Sequence, residues 1–274
     1  MGKARNIFIK IISKLGLLGI LRKFKYKIFG IKPFSFDEQL KEVGLENVYE
    51  TEDYITAYTK HTDARVDLDP KAAIGGLWEK VGDLQLKFLL SQGLETHNSL
   101  LDLGCGTLRG GRYFIEYLEK GKYTGSDISQ NCVDSANKLI KNNNLESKSA
   151  KIILVNNGDL TFDYVKGSKF DFLLAQSVFT HLKAKHIEEL FRNLNKVMHN
   201  SSLFFFTYNR IRGDVSSKKE HATSVKHTFR YKYDFFSDIS FKYGFKLSDL
   251  SSDYNHPRYV LDNNSQNMLM IRRQ

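Results

Sequence analysis

Leu100-Leu-Asp-Leu-Gly-Cys-Gly-Thr-Leu-Arg-Gly-Gly111 is the stretch on which the fold turns. A short apolar run enters a glycine turn and leaves it as the start of a helix. Gly104 and Gly106 let the backbone bend sharply and approach a ligand closely. Such a turn holds a nucleotide-like cofactor. Its spacing departs from the dinucleotide fingerprint Gly-x-Gly-x-x-Gly, because Arg109 occupies the third glycine position and the next glycine is Gly110. Taken alone, the turn also fits an ordinary strand-to-helix connection.

The following strands narrow the choice. Tyr123-Thr-Gly-Ser-Asp-Ile-Ser129 ends in Asp127, 21 residues after Gly106, where a carboxylate can take both hydroxyls of a ribose. Ser129 is a suitable N-cap for the next helix. Asn156-Asn-Gly-Asp-Leu160 closes a third strand, and its Asp159 is placed to accept from an adenine amino group. Asp102, two residues before Gly104, can accept from an ammonium group, directly or through water. Any one such acid is more often merely solvated; an acid or a glycine turn at each of three successive strand ends is harder to dismiss.

On these residues the chain resembles the class I S-adenosylmethionine-dependent methyltransferases over residues 74–272. The turn matches their Asp-x-Gly-Cys-Gly form, with Leu108 where some members carry a third glycine. Phe170-Asp-Phe-Leu-Leu-Ala-Gln-Ser-Val-Phe-Thr-His-Leu182 matches their fourth strand and the loop after it. The Gly106–Gly111 segment and the late His256-Pro-Arg258 are most similar to bacterial small-molecule enzymes of the family. The resemblance implies a Rossmann-like α/β fold: a seven-stranded, mostly parallel sheet with helices on both faces and the last strand antiparallel. It implies S-adenosylmethionine as cofactor, held by Asp102, Gly104, Cys105, Gly106, Asp127, Ile128, Gly158 and Asp159, with Gln176 and Ser177 near the methyl. Trp78 and Gln85 lie on the helix before the glycine strand, which in this family often covers the cofactor; Trp78 equally suits a core position. Such a resemblance does not identify the acceptor.

The pattern along the chain agrees. Apolar runs predict strands at 99–103, 122–126, 151–156, 169–175, 202–207, 245–250 and 266–272, and helices at 76–90, 109–119, 130–142, 184–198 and 232–243. Alternation of this kind makes a mostly parallel sheet covered on both faces, with ligands bound beyond the carboxyl ends of its strands. Residues 37–72 are polar and acidic with no long periodic run, and are read within an extension or cap over 37–75 that precedes a methyltransferase domain over 76–274.

Methyl transfer needs a nucleophile aligned with the methyl group, exclusion of water, and removal of a proton where the acceptor carries one. His181 is the first candidate for a general base, against the alternative of a structural histidine bonded to a backbone carbonyl. His256 is the second candidate. Arg109 could pair with the cofactor carboxylate or an anionic acceptor, or face solvent on the first helical turn. Tyr208, Tyr254 and Arg258 are candidate acceptor contacts near two polar loops, 209–226 and 251–266, which equally suit plain surface connections. No Asn-Pro-Pro-Tyr-like run follows the fourth strand, which argues against amino-methylating nucleic-acid enzymes. No His/Cys cluster has metal-ligand spacing, so no metal is expected.

The 274 residues are 41% hydrophobic and 13% aromatic, enough for one sizeable core. Two cysteines are too few for a disulfide framework and suit a reducing cytoplasm. The net charge of +10 is unevenly spread. Residues 1–36 hold nine of the 41 lysines and arginines and no acid, which leaves 32 basic against 31 acidic groups in the rest. Ile7, Ile11, Leu15 and Leu18 recur at helical spacing within that arm, so a basic amphipathic helix on an anionic membrane surface is expected, with a helix packed on the body or a solvated tail as the alternatives. A near-neutral body argues against a nucleic-acid partner. The function expected is methyl transfer to an oxygen or nitrogen of a small molecule, with a saccharide or lipid-linked acceptor at the inner face of the membrane favoured. A non-catalytic S-adenosylmethionine-binding protein and a nicotinamide-dependent reductase are the alternatives.

Overall fold

The computed structural model describes residues 40–41, 43–211, 221–222, 228–252 and 266–274. The basic arm and the residues Tyr254, His256 and Arg258 lie outside them. The strands are β1 (Leu100–Leu103), β2 (Tyr123–Asp127), β3 (Lys151–Leu154), β4 (Phe170–Ala175), β5 (Met198–Arg210), β6 (His221–Ala222), β7 (Phe229–Tyr231), β8 (Phe245–Asp249) and β9 (Gln266–Arg273). Seven of them run in the order β3-β2-β1-β4-β5-β9-β8. The first five are mutually parallel, while β9 is antiparallel to both β5 and β8. The seven-stranded reading therefore holds, with β6 and β7 as a short ribbon added where β7 pairs with the last residues of β5.

The principal helices are α1 (Tyr54–Leu68), α2 (Trp78–Ser91), α3 (Gly111–Tyr117), α4 (Gln130–Asn142), α5 (Ala184–Asn193) and α6 (Tyr233–Lys242). Their apolar stripes cover both faces of the sheet, which is why the strands read as nearly continuous apolar runs. Leu101, Leu173, Phe204 and Phe206 pack with Leu190, Phe191 and Phe236 on one side. Leu100, Phe172, Leu174 and Phe205 pack with Phe88, Phe114 and Ile140 on the other. The expected helix over 184–198 stops at Asn193, and β5 already begins at Met198.

The largest departure from expectation is α1. It carries few large aliphatic residues, so no hydrophobic period announced it. Its N-terminus is capped by Asp53, whose side chain accepts from the amides of Ile55 and Thr56. Asp63 on α1 accepts from the Ser129 hydroxyl at 2.5 Å and from the Asn131 amide at 3.3 Å, which fixes the helix to the start of α4.

Helix α2 reaches the glycine turn through Gly82. A Cβ there would stand 2.2 Å from the Arg109 carbonyl oxygen and 2.5 Å from the Tyr113 ring. Alanine in a helix interior ordinarily stabilises by about 0.5–1 kcal/mol over glycine. Here the backbone collision reverses the sign, and Gly82→Ala is expected to cost about 1–3 kcal/mol in urea unfolding. A stabilised variant would show that α2 can move off the turn at no cost.

Candidate active site

A cavity of about 650 Å³ opens beyond the carboxyl ends of β1, β2, β3 and β4, with α1 along its wall. The glycine turn forms its floor. Gly104 has φ +66° and Gly106 φ +57°, both in the left-handed region, and a Cβ on Gly104 would meet Val178 Cγ2 at 2.6 Å. Leu108 also has φ +66°, so a leucine adopts the backbone that a glycine would hold more easily; complete burial of its side chain offsets that strain. Gly110 and Gly111 do something else. A Cβ on Gly110 would stand 2.0 Å from Gln85 Oε1, and one on Gly111 2.5 Å from the Tyr123 hydroxyl. These two glycines make room for side chains.

Asp127 ties the turn together. Its carboxylate accepts from the Gly106 amide at 2.9 Å and from the Ser129 amide at 3.0 Å. Ser129 caps α4 by accepting from the Cys132 amide at 3.0 Å. Burial raises the pKa of Asp127 above the usual carboxylate range. Asp102, 4% exposed, is pushed up to about 7 by burial and by the neighbouring Asp127, against the pull of Tyr123 and Arg109. Asp159 accepts from the Thr161 amide at 2.7 Å and lines the same cavity.

The ends of β4, β5 and β9 supply a second polar group. Gln266 Oε1 accepts from the hydroxyls of Thr207 at 2.7 Å and Ser177 at 2.9 Å, and from Gln176 Nε2 at 3.3 Å. Ser177 is held at φ +62° while its amide donates to Thr207 Oγ1 at 2.7 Å. Arg230, Asn209 and Gln266 are register partners across β7, β5 and β9, and all three line the cavity. His181 follows β4 on the same wall. Its carbonyl accepts from the Tyr54 hydroxyl at 2.6 Å, and its ring lies 5.0 Å from that of Tyr58.

Residues 101–204 match the family model described as a methyltransferase domain. The match covers 104 of the 274 residues and makes that part of the chain similar to a methyltransferase domain. An uncharacterised protein of Rickettsia prowazekii is 23% identical over 114 residues, a stretch covering 42% of this chain and 44% of that relative. The chain thus spans less than half of the curated relative it matches. Solved structures share the fold at low identity. An S-adenosylmethionine-dependent methyltransferase from Clostridium acetobutylicum is 11% identical, over 73% of this chain and 93% of that one, with a TM-score of 0.53. Magnesium protoporphyrin IX methyltransferase from Synechocystis, solved with bound S-adenosylhomocysteine, is 15% identical over 81% and 97%, with a TM-score of 0.54. The [4+2]-cyclase SpnF is 16% identical over 81% and 97%, with a TM-score of 0.57. A cyclase on this fold shows that the fold alone does not name the reaction.

The fold brings nearly all the expected cofactor residues to one cavity: Asp102, Gly104, Cys105, Gly106, Asp127, Ile128, Gly158, Asp159, Gln176, Ser177 and Gln85 all line it. Arg109 lines it too, but 7% exposed rather than facing solvent. Its Nη1 donates to the carbonyls of Ile74 at 2.8 Å and Gly76 at 3.2 Å, strapping residues 74–76 beside the turn. Two expectations are corrected. Trp78 does not line the cavity; it is buried, with Lys71 and Arg112 over its ring at 5.3 and 5.9 Å. Tyr208 is no acceptor contact. It shares the β5 face of Phe204 and Phe206, is fully buried, and packs 4.7 Å from Phe236. Strand alternation turns its neighbours Thr207 and Asn209 the other way, and Asn209 is the one at the cavity.

Sequence reasoning missed Tyr54, Tyr58, Gln266 and Arg230. A signal existed for α1: Tyr54, Tyr58, His61 and Arg65 recur at helical spacing, and all four line the cavity. Their polarity hid them from a hydrophobic period.

Proposed function

We propose that this methyltransferase domain transfers a methyl group from S-adenosylmethionine to an oxygen or nitrogen of a small molecule. The observation that carries this reading is the convergence of Asp102, Asp127 and Asp159 on one cavity, around a turn whose Gly104 and Gly106 hold left-handed backbone conformations. The residues fit the group. Asp102, a buried carboxylate pushed up to about 7, favours a cationic ligand, which would hold it in the ionised form. Asp127 would hold the ribose, Asp159 the adenine amino group and Asp102 the ammonium group. Bound there, the cofactor supplies an electrophilic sulfonium methyl. Helix α1, Ile74 and Gly75 form part of the wall around the site. His181 is the proposed base, on the wall that also holds Asn209, Arg230 and Gln266.

Calorimetry with S-adenosylhomocysteine and with NAD tests the cofactor assignment. Binding of S-adenosylhomocysteine alone is expected; tight binding of NAD alone would sink it. His181→Ala is expected to lower kcat by about 10²–10⁴-fold while changing S-adenosylhomocysteine affinity less than about three-fold. Unchanged turnover would remove His181 as the base.

The basic segment 1–36 supports a saccharide or lipid-linked acceptor handled at an anionic membrane surface. No helix among the described residues is long and apolar enough to cross a membrane. Cosedimentation with anionic vesicles is expected for the full chain and lost when Arg22, Lys23, Lys25 and Lys27 are all replaced by glutamate. Equal partitioning of both forms would discard the membrane reading.

A further inference from the structure

Asp102 is reached by one side chain whose path is cleared by glycines. The Tyr123 hydroxyl donates to Asp102 Oδ2 at 2.8 Å, and both residues are buried. The strands run in register with Tyr123 beside Leu100 and Gly125 beside Asp102, so the tyrosine must reach along β2 to make this bond. A Cβ on Gly125 would stand 3.1 Å from the Tyr123 hydroxyl, and one on Gly111 2.5 Å from it. The hydroxyl therefore threads between two positions that carry no side chain. Nothing in core packing asks for this: phenylalanine would fill the same apolar space, stacked on Phe114 at 6.4 Å, without needing a partner for a buried hydroxyl.

We infer that Tyr123 is a positioning residue for the cofactor: its hydroxyl aims Asp102 and favours its charged form, so that the carboxylate can receive the ammonium group. This rests on the cofactor reading proposed above. The charged and titratable groups facing Asp102 are Tyr123 on β2, Asp127 at the end of β2, and Arg109 in the turn; Cys105 lies close by, its thiol kept neutral by burial. Asp127 disfavours the charge and Arg109 favours it, but only Tyr123 donates a direct bond among the contacts described. A hydrogen bond to a charged group shifts a carboxylate by about one unit or more.

The sign follows from linkage. Ammonium binding is coupled to loss of the Asp102 proton, so affinity rises with pH until Asp102 is fully ionised. Without the hydroxyl, the rise moves to higher pH. The test is calorimetry of S-adenosylhomocysteine with wild-type and Tyr123→Phe protein between pH 6 and 8.5, alongside a ¹³C NMR titration of the aspartate carboxyls in the free proteins. Starting from a wild-type value of about 7, an upward shift of about one unit makes the variant about five-fold weaker at pH 7 and less than about two-fold weaker at pH 8.5. The Asp102 resonance is expected to titrate about one unit higher. In an Asp102→Asn background, Tyr123→Phe should leave the pH profile unmoved. Parallel profiles offset by a constant factor, or an unshifted Asp102 titration, would overturn the inference and leave the cofactor assignment standing. Failure of the wild-type protein to bind at any pH would overturn both.

Discussion

Asp127→Ala is expected to weaken S-adenosylhomocysteine binding by about 10²–10³-fold. The carboxylate accepts from the amides of Gly106 and Ser129 and is proposed to hold the ribose hydroxyls as well. Each hydrogen bond to a charged group is worth about 1.5–3 kcal/mol, and every 1.4 kcal/mol is tenfold in affinity. Water entering the space returns part of that loss. The substitution also frees the Gly106 amide, so the turn loses its fixed shape as well as its ligand contact. Asp127→Asn keeps one acceptor oxygen but turns an NH₂ donor toward a backbone N–H, and is expected to fall between wild type and alanine. Calorimetry at one pH measures all three. A loss smaller than about five-fold for alanine would mean that Asp127 organises the turn and does not touch the cofactor.

Phe179→Ala carries the largest expected loss of stability, about 3–5 kcal/mol. Phe179 is fully buried in the turn after β4. It stacks on Phe206 at 4.4 Å and lies 6.0–6.3 Å from Phe191, Phe204 and Phe236. Those rings come from α5, β5 and α6, so none can close over the vacancy without leaving its own site. Against a total of about 5–15 kcal/mol, such a loss removes a third or more of the folding stability. His181 lies two residues on, so kcat should fall along with the urea midpoint. A midpoint shift equivalent to less than about 1 kcal/mol would show that the cluster repacks.

Much of the site was legible because its logic is local. Asp102, Asp127 and Asp159, the acids proposed for the cofactor, stand at or just after strand ends, and the distance from Gly106 to Asp127 is set by one helix and one strand. Ser129 as an N-cap follows from residue type and position alone. Tyr208 was misread because a parallel sheet buries both faces, so alternation in the sequence does not say which face meets the ligand. Trp78 was misread because one helix carries both a cavity-facing residue, Gln85, and residues directed elsewhere. Helix α1 was missed because its cavity face is built from tyrosine, histidine and arginine.

The sequence by itself determined the alternation of the main strands and helices after residue 76, the glycine turn and the acids at three strand ends, because hydrophobic period and backbone freedom act within a few residues. Only the tertiary structure decided which neighbour each glycine in one run makes room for. Gly104 and Gly106 take left-handed backbone beside Val178 and Ile74; Gly82, Gly110 and Gly111 let α2, Gln85 and Tyr123 approach. It also decided that Arg230, Asn209 and Gln266 meet, across residues 209 to 266 of chain, through strand register. Close approach between distant segments depends on how the sheet and helices stack, which no local pattern records.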